Sequence, residues 1–162
     1  MSSTRIRRAG RKTGPKPRFT REDVINAAVE LGIDRFTLGA VAAKLGIATS
    51  AMYRLFHSRD ALVDACLAQA ATEIDTIMLD DELPWPELLR NWAEATWDIC
   101  EKYPGLDITI FQYTQSFSHV QGFTQHAISI LMAQGFTRPE ALFALDFIGD
   151  TVLATHIGMS AM

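Results

Sequence analysis

Thr37-Leu38-Gly39-Ala40-Val41-Ala42-Ala43-Lys44-Leu45-Gly46-Ile47-Ala48-Thr49-Ser50-Ala51-Met52-Tyr53-Arg54-Leu55-Phe56 contains two helix-forming stretches separated by one glycine. Leu38, Val41, Ala42 and Leu45 recur at helical spacing and make a single apolar stripe, and Gly46 ends it in the manner of a left-handed C-terminal residue. The second stretch starts within a few residues. Its Met52 and Phe56 lie four apart and face inward, which leaves Thr49, Ser50, Tyr53 and His57 near one outer face. Two short helices joined by a tight glycine turn form a helix-turn-helix.

Upstream, Phe19-Thr20-Arg21-Glu22-Asp23-Val24 opens another helix. Thr20 is the cap, Asp23 stands at the reciprocal capping-box position as a shorter substitute for Glu, and Phe19 with Val24 makes the hydrophobic staple. Val24, Ala27, Ala28 and Leu31 carry the period on until Gly32. Downstream, Ser58 caps a fourth helix expected over Ala61 to about Leu79. After the break at Asp80-Asp81-Glu82-Leu83-Pro84-Trp85-Pro86, the residues Leu88, Trp92, Ala95 and Ile99 define a fifth that Tyr103-Pro104-Gly105 stops. Two more are expected between Leu106 and Gln134, divided near Ser116 to Ser118, although Ile108, Ile110, Phe111 and Tyr113 locally imitate a strand. An eighth runs from Glu140 to Met159, apolar almost all round, a pattern that calls for burial on more than one side. Asp146 and Asp150, one turn apart, are expected on its outer or rim face. The fold class is therefore all-α.

Charge divides the chain. Of its 162 residues, the first 59 hold 12 Lys and Arg against 4 Asp and Glu, while the remaining 103 hold 3 against 15. A basic N-terminal third on an acidic remainder points to a polyanion partner for the former, nucleic acid first. Arg5, Arg7, Arg8, Arg11, Lys12, Lys16 and Arg18, interleaved with glycine and proline, form a basic arm that can lie along phosphates or enter a minor groove. The organisation reads as an arm at 1–18, a helix-turn-helix domain at 19–60 and a helical regulatory and dimerisation domain at 61–162. Composition, 48% hydrophobic and 21% charged, excludes disorder of the whole chain. Residues 108–137 lack Asp, Glu, Lys and Arg, but their glutamines break the apolar continuity that a membrane span needs. No apolar stretch follows the N-terminal arginines as in a secretory signal, so a cytoplasmic, nucleoid-associated protein without a membrane partner is expected. Cys66 and Cys100 lack metal-ligand or redox spacing and read as reduced packing residues.

Leu38 to Ile47, followed by Met52-Tyr53-Arg54-Leu55-Phe56-His57-Ser58-Arg59-Asp60-Ala61-Leu62, resembles the DNA-binding domain of the TetR/AcrR family of transcriptional regulators. The likeness is close over about residues 19–66 and looser beyond. It implies a homodimer whose subunits each carry a three-helix DNA-binding head and a ligand-responsive helical body, usually repressing transcription until a small molecule binds. By the resemblance, Thr37 is the cap of the second helix, Tyr53 an aromatic phosphate or base contact, and Arg59 a phosphate-binding position. Thr49 and Ser50 begin the recognition helix, with His57 close by. Lys44, Arg54 and Arg18 complete the expected DNA-binding set. Ala48, Ala51, Leu55 and Gly39 depart from residues common in the family, which shifts readout towards Thr49, Ser50 and Tyr53, with further affinity from the arm. The expected partner is duplex DNA with a palindromic operator.

For the effector, the aromatic and polar content of the body points to a largely apolar ligand, uncharged or weakly cationic. Its expected contacts are Trp92, Phe111, Tyr113, Phe117, Phe123, His126 and Phe147. No cofactor and no metal are expected, because His119 and His126 share a helical face without a Cys or carboxylate between 108 and 137 to complete a site. Two other functions compete. An enzyme would use His119 or His126 as general base but has no nucleophile or acidic partner at a meaningful spacing, and an architectural protein would bind DNA without sequence preference or effector. The dimer is expected through the helix at 140–159. The resembling family usually continues into a ninth helix, so a truncated chain with a weak dimer is favoured over a dimer that the apolar faces of 140–159 sustain alone.

Overall fold

A computed structural model describes residues 19–75, 82–113 and 116–162, with the side chains of 75, 116 and 117 excepted. The described residues form helices without strands: α1 Arg21–Leu31, α2 Leu38–Leu45, α3 Thr49–Tyr53, α4 Arg59–Asp75, α5 Trp85–Lys102, α6 Leu106–Gln112, α7 Ser116–Ala133 and α8 Arg138–Ser160. The local signals act as read. Asp23 N donates to Thr20 Oγ1 at 3.1 Å and Thr20 N to Asp23 Oδ2 at 2.6 Å, the two halves of a capping box. Those donors from Thr20 hold the Asp23 carboxyl below its ordinary value. Thr137 and Glu140 repeat the device at α8. Ser58 Oγ accepts from Ala61 N at 3.1 Å, although α4 begins two residues earlier than its sequence period. The expected end of that helix near Leu79 lies outside the described residues. Gly46 is left-handed as expected, with φ 65° and ψ 32°; Gly32 has positive φ but an extended ψ of 123°.

The strand-like stretch 108–113 is helical. α6 covers it as far as Gln112 and Tyr113 turns to extended backbone, so the division from α7 comes before Ser116. The β-branched residues there pack as a helix face, with Thr109 buried and its hydroxyl donating to Gly105 O at 2.6 Å. Tertiary burial overrides local propensity here.

One core joins the head to the body. Val24, Ala28, Val41, Met52 and Phe56 of the first three helices and their turns pack with Leu62, Val63 and Cys66 of α4, and the same cluster continues into Cys100, Tyr103 and Leu106. Each fully buried Val, Leu, Met or Phe among them contributes roughly 1.5–3 kcal/mol relative to exposure. The expected division after residue 60 therefore falls inside α4, which serves both halves. Tyr103, 1% exposed, donates its hydroxyl to Glu73 Oε1 at 2.7 Å and so ties α5 to α4. Burial pushes the thiols of Cys66 and Cys100 up to about 12, in keeping with packing residues. A second core gathers Leu88, Ile128, Leu131, Ala141 and Leu145 from α5, α7 and α8.

α8 departs from the expectation of burial on several sides. It packs chiefly on α5 and buries Ala141, Leu145, Leu153 and His156, whereas Phe143 and Phe147 are 69% and 60% exposed and stack on one another at 5.8 Å. In length and mean hydropathy, 1.3, it meets the measure of a membrane-crossing helix. Asp146 and Asp150 at its centre would be costly in hydrocarbon, so its apolar outer face is better matched to protein.

Candidate functional site

The helix-turn-helix builds a polar surface over an apolar floor. Gly46 N donates back to the Ala42 and Ala43 carbonyls and Ile47 N to Ala42 O, which turns the chain sharply between α2 and α3. α3 lasts only five residues, and at its N-cap Ala48 no side chain caps it. Met52 and Phe56 are sealed beneath it, while Thr49, Ser50, Tyr53, Arg54 and His57 are exposed, Tyr53 by 50%. Two residues of the expected DNA-binding set near this surface make contacts within the chain, Thr37 as the helix cap that the resemblance implied. Lys44 Nζ pairs with Glu30 Oε2 of α1 at 2.7 Å, and Thr37 is exposed but spends its hydroxyl as acceptor for Ala40 N at 3.1 Å. Arg18 and the basic arm lie outside the described residues.

Arg59 is a correction. Its guanidinium turns inward: Nε donates to Phe36 O at 3.0 Å, Nη2 to Ile33 O and Asp34 O at 2.9 and 2.8 Å, and Nη1 to the Tyr113 hydroxyl at 2.8 Å. The guanidinium carbon also lies 4.9 Å from the centre of the Phe36 ring. A group so committed to protein acceptors is not presented to phosphate. An arginine satisfies several carbonyls at once because its donors form a planar fork. Tyr113, expected among the effector contacts, is drawn to the same place and donates a hydrogen bond from its hydroxyl to Asp60 Oδ1 at 2.9 Å. Burial and that carboxylate raise its phenol above the ordinary range.

Arg21, which the sequence reading passed over, lies 4.1 Å over the Phe56 ring and donates to Leu55 O, fixing the end of α3. The separation of 34 residues gave no signal.

The body encloses a cavity of about 760 Å³ between α4, α5, α6, α7 and α8, large enough for a drug-sized ligand. Trp92 and Phe123, tilted ring to ring at 5.4 Å, line it, and Phe111 joins them at a mouth where it is 55% exposed. Phe147 and His126 are not in its wall. Phe147 lies on the outer face of α8 with Phe143, because the helical period puts both opposite Leu145. The side chain of Phe117 lies outside the described residues. Asp146 and Asp150 are exposed as expected, yet their exposure is at the cavity's rim, where both contribute to its lining. The N–H of Trp92 is buried without an acceptor.

His119 and His156 find the acidic partners that the sequence did not reveal. His119 Nε2 lies 2.7 Å from Asp64 Oδ1, and buried His156 Nδ1 lies 2.7 Å from Asp107 Oδ2 with Trp97 edge-on at 5.0 Å. Neither pair lines the cavity. Among the described residues no three His, Cys, Asp or Glu side chains converge to hold a metal.

α6 stands between cavity and head. Leu106, Ile110 and Phe111 face the cavity, and Tyr113 just beyond the helix reaches Arg59. At the other end, Ile33 N donates to Pro104 O at 2.8 Å. Gly105, with φ +81°, lies so close to Asp34 that a Cβ would run into its side chain and backbone.

A sequence profile of the bacterial regulatory proteins of the tetR family matches residues 25–66. The HTH-type transcriptional repressor DrrR1 of Streptomyces coeruleorubidus is 27% identical, with 86% of this chain and 53% of the relative covered. The chain thus spans about half the length of that relative. Among solved structures, a TetR variant from Acinetobacter baumannii AYE in complex with minocycline superposes with a TM-score of 0.71 at 24% identity, covering 88% of this chain and 77% of the other. A possible TetR family transcriptional regulator from Streptomyces coelicolor A3(2) gives 0.74 at 17% identity over 85% and 70%. Residues 25–66 thus match the tetR-family helix-turn-helix domain, and the chain as a whole shares the all-helical fold of these structures.

Proposed function

We propose that the protein is a DNA-binding transcriptional repressor that acts as a two-fold dimer and leaves its operator when a small molecule occupies the body. The observation that carries this reading is the outer face of α3, where Thr49, Ser50 and half-exposed Tyr53 stand over buried Met52 and Phe56 in the basic third of the chain. A purely structural tyrosine would be covered; this one is offered to solvent beside polar side chains of the size that base edges and phosphates accept. A large cavity joined to the head through α6, Tyr113 and Arg59 favours effector control over architectural binding. Filling it displaces α6 and so reorients the head. The minocycline held by the Acinetobacter relative is in keeping with this. The second copy is proposed to sit on the exposed apolar face of α8.

Selection of bound sequences from a random duplex pool tests the whole reading. A palindrome is expected, with half-site centres about 34–36 Å apart or a multiple of that; a pool that remains random after selection overturns sequence-specific binding. Tyr53→Ala is expected to weaken specific binding by about 1–3 kcal/mol with helical content intact. Unchanged affinity would return Tyr53 to a packing role. Removal of residues 1–17 is expected to lower affinity for specific and random duplex by similar factors and to flatten the dependence of log K on log salt, since it deletes phosphate-seeking charge alone. A salt slope equal to that of the full chain would count against the arm as a DNA contact.

A further inference from the structure

The inward turn of Arg59 leaves the phosphate role that the resemblance implied without a holder, and Lys44 Nζ is paired with Glu30 at 2.7 Å. The other basic side chains among the described residues of the head are Arg21, Arg35 and Arg54. Arg35 belongs to the turn that docks on the start of α6, and its Nε donates to Leu31 O at 3.1 Å. Arg21 and Arg54 are therefore the cations beside α3. They differ in how they are held. The Arg54 side chain is exposed, and no hydrogen bond or ion pair among the described residues fixes it.

Arg21 is set in place from two directions. Its guanidinium carbon lies 4.1 Å from the centre of the Phe56 ring, and Nη1 donates to Leu55 O at 3.3 Å. Phe56 beneath it is buried while Arg21 itself is exposed. The acids that follow it in sequence leave it alone: Asp23 accepts from Thr20 N and Thr20 Oγ1 at 2.6 and 2.9 Å, and no ion pair joins Glu22 or Asp23 to Arg21 among the described residues. A guanidinium carries five N–H donors in a planar fork, so one hydrogen bond and one ring face leave an edge of it unused. That edge has the geometry to take two oxygens of a phosphate side by side. Ring and carbonyl also restrict the side chain before any ligand arrives, which lowers the entropy cost of binding. The carbonyl oxygens at the end of α3 carry partial negative charge, and a guanidinium on Leu55 O makes that end attractive to an anion.

We propose that Arg21 is the fixed phosphate contact of the head, filling the role that the resemblance implied for Arg59. Phe56 and the Leu55 carbonyl hold its guanidinium, and the open edge of the fork binds a backbone phosphate of the duplex. The inference rests on the reading of α3 as the DNA-facing helix and adds a residue from α1 to it. Because every nucleotide offers a phosphate, the contact contributes affinity and register and reads no sequence. Leu55 is two residues past Tyr53, so a phosphate on Arg21 sets where Tyr53 meets the duplex.

Titration of the full chain with the duplex recovered by selection and with a duplex of random sequence, each over a range of salt concentrations, tests this. Arg21→Met keeps an unbranched chain over Phe56 and removes the cation. It is expected to weaken both duplexes by about tenfold at low salt and to make the slope of log K on log salt shallower by about 0.9, the value for one phosphate. Arg35→Met removes the same unit of charge from the turn docked on α6 and is expected to leave that slope at its parental value. A slope unchanged by Arg21→Met overturns the contact. An equal flattening by Arg35→Met overturns it too, by making the effect one of net charge, and a loss confined to the selected duplex does so by reducing Arg21 to a support for base-reading side chains. Should Arg21→Met not fold, Arg21→Lys takes its place. An ammonium keeps the charge without the fork, so both duplexes are expected to weaken several-fold at an unchanged slope, and parental affinity for both overturns the proposal. A parent chain that binds neither duplex at any salt concentration removes the DNA reading of α3 itself, and this inference falls with it.

Discussion

Arg59→Ala is expected to lower the stability of the chain by about 2–4 kcal/mol, because it leaves the carbonyls of Ile33, Asp34 and Phe36 and the Tyr113 hydroxyl without their charged donor. Equilibrium denaturation followed by far-ultraviolet dichroism measures this. Arg59→Lys is expected to recover only part of the loss, since an ammonium is a single point of charge and cannot reproduce a fork that reaches three carbonyls. The competing role, a phosphate contact, makes the opposite forecast: stability equal to the parent chain and a reduced salt dependence of DNA binding. Stability within about 0.5 kcal/mol of the parent, the usual range for surface substitutions, would restore Arg59 to the DNA surface. The same variant probes communication, because Arg59 and Tyr113 form a direct polar link between the head and α6. Tyr113→Phe removes that link while leaving the three carbonyl contacts of Arg59 in place.

Substituting both Phe143→Glu and Phe147→Glu is expected to raise the dissociation constant of the dimer about a thousandfold or more, the equivalent of two central aromatic anchors at about 2 kcal/mol each. Both rings are exposed on the single chain and touch one another rather than its core, so the protomer is expected to keep its helical content and its second core of Leu88, Ile128, Leu131 and Leu145. Sedimentation velocity over a range of protein concentrations distinguishes the outcomes. A parent chain that dimerises and a double variant that does not would locate the interface on this face of α8. A dimer unaffected by two buried carboxylates would place the interface elsewhere. Loss of the dimer should also weaken binding to a palindromic operator, whose two half-sites are otherwise engaged together.

Local chemistry made much of the molecule legible in advance. Thr20 with Asp23, Ser58 and Gly46 mark helix ends through bonds spanning at most four residues, so their meaning is contained in the sequence near them. The helix-turn-helix is legible for the same reason: Met52 and Phe56 fall one turn apart and must point inward, which sends Tyr53 outward without reference to the rest of the chain. The division of charge at residue 59 is likewise a property of the sequence alone.

Tertiary structure decided what the long-range contacts do. Arg59 read as a phosphate ligand because its place in the motif resembles a phosphate-binding position of the TetR/AcrR family. Its real acceptors are a turn more than twenty residues before it and a tyrosine 54 residues after it. His119 seemed to lack a carboxylate partner because Asp64 is 55 residues away, and buried His156 likewise meets Asp107 from 49 residues away. On α8 the helical period separates two faces but does not say which meets the body. Packing on α5 and α7 buries Leu145 and leaves Phe147 outside, and the same rotation brings Asp146 and Asp150 to the rim of the cavity. The sequence alone determined which residues share a face, because that follows from 3.6 residues per turn. Which face meets a neighbour depends on helices brought together from distant parts of the chain, and only their packing settles it.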